Sequence, residues 1–240
     1  MGAAEGGPSG GSSALLVACA LGIERLALGG GRDRARDKGR DGGRDRDVER
    51  TGAPGPVRVL RTGMGPRAAD RAVAAALADP RLGGAAVVAT GFCAGLVPGM
   101  HPGDLVVAER TRDPRGTVTC SAAGPLAAAL ARALPGRTVH TGLLTGADHV
   151  VRGPERAALR ATGAIAVDME SAATLWTAAR IPMATAGRRP VAAVRVIVDA
   201  PEHELVRIGT VRGGISAFRV LRAVLPAFHD WHRSLPLPRR

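Results

Sequence analysis

Two carboxylates close an apolar run in AIAVDMESAA, residues 164–173, where Asp168 and Glu170 flank Met169 just as the chain stops reading as a dry strand. Acids end two other such runs: ALGIE finishes on Glu24 and VRVIVD on Asp199. A carboxylate there can accept hydrogen bonds from hydroxyls or activate water, and one kept protonated by a dry pocket can donate a proton. Glycine turns occupy further strand ends, in LRTGMGP (60–66), VATGFCAGLVPGMHPGDLVV (88–107) and HTGLLTGADHVV (140–151). Strand ends followed by small residues are where an α/β sheet presents ligands. Taken singly, each acid is more often a helix cap or a solvent-facing residue than a functional one, and Gly63 to Gly65 is not a dinucleotide fingerprint. Their order and spacing together carry the signal.

The elements that must position these residues are short Val/Leu/Ile/Ala runs alternating with Ala-rich helical stretches, the pattern of an α/β fold. Strands are expected over 14–20, 57–61, 85–90, 104–108, 139–144, 164–167 and 191–198. Helices are expected over 66–78, 123–133, 154–161, 170–180 and 213–232. In the last helix Phe218, Leu221, Leu225 and Phe228 recur at helical spacing. A core-facing stripe accounts for them, with membrane-surface contact as the alternative. His229 and His232 lie three apart but lack an Asp, Glu or Cys cluster to complete a site. They read as exposed helix-end residues, and neither metal nor cofactor is expected.

One domain over 14–233 fits the length, between a Gly/Ser-rich tail at 1–13 and a short tail at 234–240. Inside it, residues 29–56 alternate Arg and Asp with almost nothing to bury, which reads as a solvated low-complexity insertion. An arm touching RNA or membrane is the other reading.

The formal net charge is +12, yet the arginines are scattered and the few aromatics do not interleave with them. Without a stacking platform, nucleic acid is not the expected partner. Cys19, Cys93 and Cys120 are an odd set without metal-ligand spacing, as suits a reducing cytoplasm. Leu16-Val17-Ala18-Cys19 resembles the cleavage box of a bacterial lipoprotein, but the segment before it carries Glu5 and no Lys or Arg. An export signal needs a positive start, and the same residues read well as a first buried strand. An exported lipoprotein or a basic binding module are the non-enzyme alternatives.

In family order, ALGIE, TGMG, TGFCAGL.PG..PGDLVV, GLLTGAD, AVDMESAA and VRVIVD resemble the purine nucleoside phosphorylase and nucleosidase superfamily, more closely its methylthioadenosine/adenosylhomocysteine nucleosidases. The resemblance covers nearly the whole chain outside 29–56 and the tails. It implies a single-domain three-layer α/β/α sandwich with a central mixed, partly barrel-like sheet, and a homo-oligomer, dimer or hexamer. The implied activity is cleavage of the N-glycosidic bond between a purine and a ribose. On it, Asp199 donates a proton toward the purine N7, Glu24 activates the attacking water, and Glu170 accepts hydrogen bonds from the ribose hydroxyls while Met169 packs against the sugar. Gly63, Thr90, Gly91, Phe92, His149 and Val150 complete the implied substrate site.

Departures from the family pattern narrow the expectation. Phe92 stands where a small polar residue is common, against phosphate use. Val198 replaces a serine that braces the acid, and His149 an aromatic that stacks on the base. These changes and the apolar GFCAGL loop look like the hopanoid-associated nucleosidases, which convert adenosylhopane to ribosylhopane. The expected protein is cytoplasmic or peripheral to the membrane. Methylthioadenosine/adenosylhomocysteine nucleosidase, futalosine hydrolase and a phosphate-dependent phosphorylase remain the alternatives.

Overall fold

The computed structural model describes residues 14–29, 56–183, 187–201 and 210–236. The tail 1–13 and residues 30–55 of the expected insertion lie outside the described residues.

β1 (Leu15–Cys19) is an unbroken apolar run because it lies between β2 (Val57–Arg61) and β3 (Ala86–Gly95), parallel to both. Such a strand is covered on both faces. Alternation sends Leu16 and Ala18 to one core and Leu15, Val17 and Cys19 to the other. Leu16-Val17-Ala18-Cys19 thus forms part of a buried central strand, the reading preferred above to a lipoprotein cleavage box.

Five strands close a ring. β3 pairs with β8 (Val191–Asp199), β8 with β4 (Leu105–Asp113), β4 with β6 (Val139–Gly146), β6 with β7 (Ala164–Asp168), and β7 returns to β3 through Ala94 and Gly95. β1 and β2 extend the sheet from β3, and β5 (Gly116–Thr119) extends it from β4. α1 (Gly22–Ala27), α3 (Ala123–Ala133), α6 (Thr210–Ala223) and α7 (Leu225–Ser234) cover one core, while α2 (Pro66–Leu77) and α5 (Ser171–Arg180) cover the other. The three-layer architecture with a partly barrel-like mixed sheet is the one expected. α4 (Pro154–Ala161) lies along β7 with none of its residues fully buried.

The structure differs from the expected elements at four places. β3 runs on past Thr90 through Gly91-Phe92-Cys93, where a loop was expected, because Gly91 to Cys93 pair with Arg195 to Ile197 of β8. β4 continues to Asp113 and turns back into β5, a hairpin stabilised by the Arg115 N–H on the Asp113 carboxylate at 2.9 Å. α1 was not anticipated. The final helix breaks at Val224, because Pro226 lacks the N–H that would continue the ladder and its ring crowds the preceding turn.

The expected stripe does face the core, with Leu221 and Phe228 fully buried. Burying each such side chain contributes about 1.5–3 kcal/mol. His232 is 4% exposed, not the exposed residue expected, since it lies beside Trp231 on the buried side of α7. No helix among the described residues is long and apolar enough to cross a membrane, and no group of His, Cys, Asp or Glu among them could hold a metal.

The pairing of β3 with β8 slips by one residue. Cys93 faces Ile197 but Ala94 faces Asp199, leaving Val198 without a partner. Such a bulge re-aims the side chains around it, and Val198 and Asp199 both enter one cavity wall.

Candidate active site

That cavity opens where β1, β7 and β8 end, and its wall brings together Glu24, Phe92, His149, Val150, Met169, Glu170 and Asp199. Seven of the expected site residues therefore meet. Gly63, Thr90 and Gly91 do not line it. Gly63 shapes the turn after β2 at a φ of 83°, Thr90 is wholly buried, and Gly91 backs onto Glu24.

Glu24 sits in the first turn of α1, 2% exposed. Its Oε2 accepts the N–H groups of Ala20 and Leu21 at 2.9 and 2.8 Å, and its Oε1 accepts that of Phe92 at 2.9 Å. An ionised carboxylate has about four acceptor sites. Three are taken, so the group is held rigidly and can still receive one donor from the cavity.

Glu170 precedes α5, and its Oε1 accepts the N–H of Gly65 at 2.8 Å. The glycine turn after β2 thus serves the site through Gly65 rather than Gly63. Burial pushes the Glu170 carboxyl above the usual carboxylate range, with the charges of Asp168 and Glu24 acting in the same direction. Arg195, whose Nη2 is 4.0 Å away, and the Gly65 N–H oppose that shift.

Arg195 lies beneath the acids, 1% exposed in the middle of β8. Its Nε is 2.6 Å from the Asp168 carboxylate and 2.8 Å from the Ser171 hydroxyl, while Nη1 donates to the Thr90 carbonyl at 3.0 Å. Burial works against its charge, but Asp168, Glu170 and Glu24 outweigh that effect and hold the guanidinium protonated. Asp168 also accepts the Ser171 N–H at 3.1 Å and so caps α5, as its place before the helix suggested.

Asp199 is 9% exposed, and its surroundings differ from the apolar pocket expected for it. Arg156, in the first turn of α4, grips it with both terminal nitrogens: Nη1 reaches Oδ1 at 3.4 Å, and Nη2 bonds Oδ2. The Nε of the same guanidinium donates to the Val151 carbonyl at 3.3 Å. The bracing that Val198 cannot give comes from this fork. Arg156 was missed because nothing in its type or spacing marks it. The only signal was topological, since its helix starts just beyond a loop that borders the cavity.

His149 stands at the rim, bonded to Asp148 at 2.7 Å and Glu155 at 3.0 Å. Those two carboxylates raise its pKa. Met64 and Val150, also in the wall, are 64% and 61% exposed, so apolar side chains reach the mouth beside that polar cluster.

Residues 16–226 match the family model of the phosphorylase superfamily. No curated protein matches the chain. Among solved structures, the fold is similar to the 5′-methylthioadenosine/S-adenosylhomocysteine nucleosidase of S. pneumoniae bound to a transition-state inhibitor, with 20% identity, 90% of this chain and 98% of that one covered, and a TM-score of 0.64. The Helicobacter pylori enzyme of the same name gives 14% identity, coverage of 92% and 99%, and a TM-score of 0.67. Futalosine hydrolase of Helicobacter pylori gives 14% identity, coverage of 91% and 98%, and a TM-score of 0.67.

Proposed function

The chain belongs to the phosphorylase superfamily, and on that premise we propose that it is a nucleosidase, hydrolysing the N-glycosidic bond of a 5′-substituted adenosine to release adenine. The observation that carries this reading is the convergence of Glu24, Glu170 and Asp199, from three separate stretches of chain, on one cavity whose remaining wall is mostly apolar. Glu170 accepts hydrogen bonds from the ribose hydroxyls beside Met169. Glu24, with one acceptor site left, takes a proton from the attacking water. Asp199 protonates the leaving base, a step that contributes on the order of 10²–10⁴ in rate.

Hydrolysis is favoured over phosphorolysis because the only arginine among the described residues lining the cavity, Arg156, is already engaged by Asp199. The 5′ group is large and apolar, as in adenosylhopane, the product then being ribosylhopane. The exposed Met64 and Val150 at the mouth support that choice. A smaller 5′ group, as on methylthioadenosine, adenosylhomocysteine or futalosine, is the alternative substrate class. The protein acts in the cytoplasm, peripheral to the membrane that holds such a substrate, as a homo-oligomer.

Adenine release from 5′-alkyl adenosines, measured with and without phosphate, tests the reading. Release without phosphate is expected, and an absolute requirement for phosphate would overturn hydrolysis. Asp199→Asn should lower turnover by about 10²–10⁴; an unchanged rate would show that the acid lies elsewhere.

A further inference from the structure

We propose that Arg156 is a further catalytic residue, the counter-charge for the negative charge that develops on the leaving base and Asp199 as the glycosidic bond breaks. This rests on the nucleosidase reading.

The cavity wall holds four acids, Glu24, Asp168, Glu170 and Asp199, and one arginine. Asp168 is matched by Arg195 from beneath. His149, the other group able to carry positive charge, is taken up by Asp148 and Glu155 at the rim. Arg156 instead points its fork at the group that meets the base, with both side chains only 12% exposed. A guanidinium has five N–H donors. Three are used, one by Val151 and two by Asp199, and two remain beside the carboxylate for a purine.

The electron count explains the need for this charge. The C1′–N9 bond gives its electron pair to the base, water forms the new C1′–O bond, and its proton passes to Glu24. The base takes the proton of Asp199. Wherever that proton sits during the step, base and carboxyl together gain one negative charge. A preorganised donor facing such charge in a partly dry site is worth far more than one in water. Carboxylates near the sugar suit the cationic half of the transition state, and the guanidinium suits the anionic half.

A structural tether is the competing account, because Arg156 links α4, which has no fully buried residue, to the central sheet. The two are separated with a 5′-alkylthio adenosine and its N7-methylated analogue, each rate corrected for uncatalysed loss. The methylated base is cationic and leaves neutral, so it needs no counter-charge. Arg156→Gln should lose about 10²–10³ in kcat on the first substrate and keep or exceed the wild-type rate on the second. Arg156→Lys should recover part of the lost rate, and so should guanidinium ion added to Arg156→Gly. Equal losses on both substrates, or no loss on the first, would overturn the proposal. If the wild type cleaves neither substrate, the nucleosidase reading itself falls, an outcome distinct from both.

Discussion

The N–H of Phe92 is held by the carboxylate of Glu24 at 2.9 Å, joining the third strand to the first helix across the floor of the cavity. Gly91, the residue before, leaves space for that contact and for Arg195. A methyl group at its Cβ position would stand 2.6 Å from Nη1 of Arg195 and closer still to Glu24, and its φ of 136° disfavours any side chain. Gly91→Ala should therefore displace Glu24 and reduce kcat by more than tenfold while the protein still folds. Turnover and circular dichroism on the same sample check this, and a fully active variant would show that the position of Glu24 is not critical.

Glu170 sets an expected pH dependence. Its pKa is raised, chiefly by burial, so the ionised form that would bind ribose hydroxyls becomes dominant only above the usual carboxylate range. The rate should rise with pH through that displaced window, and Glu170→Gln should lose both the rise and most of the activity. Folding stability runs the other way: a raised acid favours the fold below its unfolded pKa, and that contribution is lost as pH rises through the folded one. A kcat/KM profile between pH 4 and about 8, a range set around ordinary carboxylate values, tests the first statement.

Arg195 neutralises acids it lies beneath. Replacing it with leucine strands Asp168 as a buried charge, and losing one partner of such a pair typically costs about 3–5 kcal/mol. Urea denaturation of Arg195→Leu should report a loss of that order; a loss below about 1 kcal/mol would put the pair in the class of exposed bridges.

The thiols should be inert. Burial pushes Cys19 and Cys120 up to about 12 and raises Cys93 as well. Since the thiolate is the reactive form, an aromatic disulfide reagent at pH 8 should label none of the three in the native protein and all of them in denaturant. Rapid native labelling of Cys19 would contradict its place in β1.

Sequence patterning located the architecture because apolar runs, Ala-rich stretches and helix-opening prolines mark where elements begin and end: the expected 57–61, 123–133 and 154–161 coincide with β2, α3 and α4. What escaped were features decided by partners distant in the chain. Residues 91–95 contain two glycines and look like a loop, but β8 pairs with 91–94 and β7 with 94 and 95. Acids at strand ends were visible because a charge after an apolar run stands out, and Glu24, Glu170 and Asp199 do share a cavity. Arg156 was invisible because arginine on a polar helix is ordinary, and only the approach of α4 to β8 gives it Asp199 as a partner. Gly65 was passed over for Gly63 because two glycines in one turn cannot be ranked until Glu170 is seen to take the N–H of the second.

The unpaired Val198 separates two kinds of mutational tolerance. Substitutions around it alter the neighbours of Asp199 by degrees. A one-residue deletion there acts differently, since it would let β8 pair with β3 without interruption and give the whole segment a regular alternation. One of the two adjacent side chains now in the cavity would then turn to the opposite face. Apart from Arg195 and Asp199, substitutions along β8 should therefore leave the chemistry in place, whereas a change in its length at this one point would keep the sheet and rewrite the site.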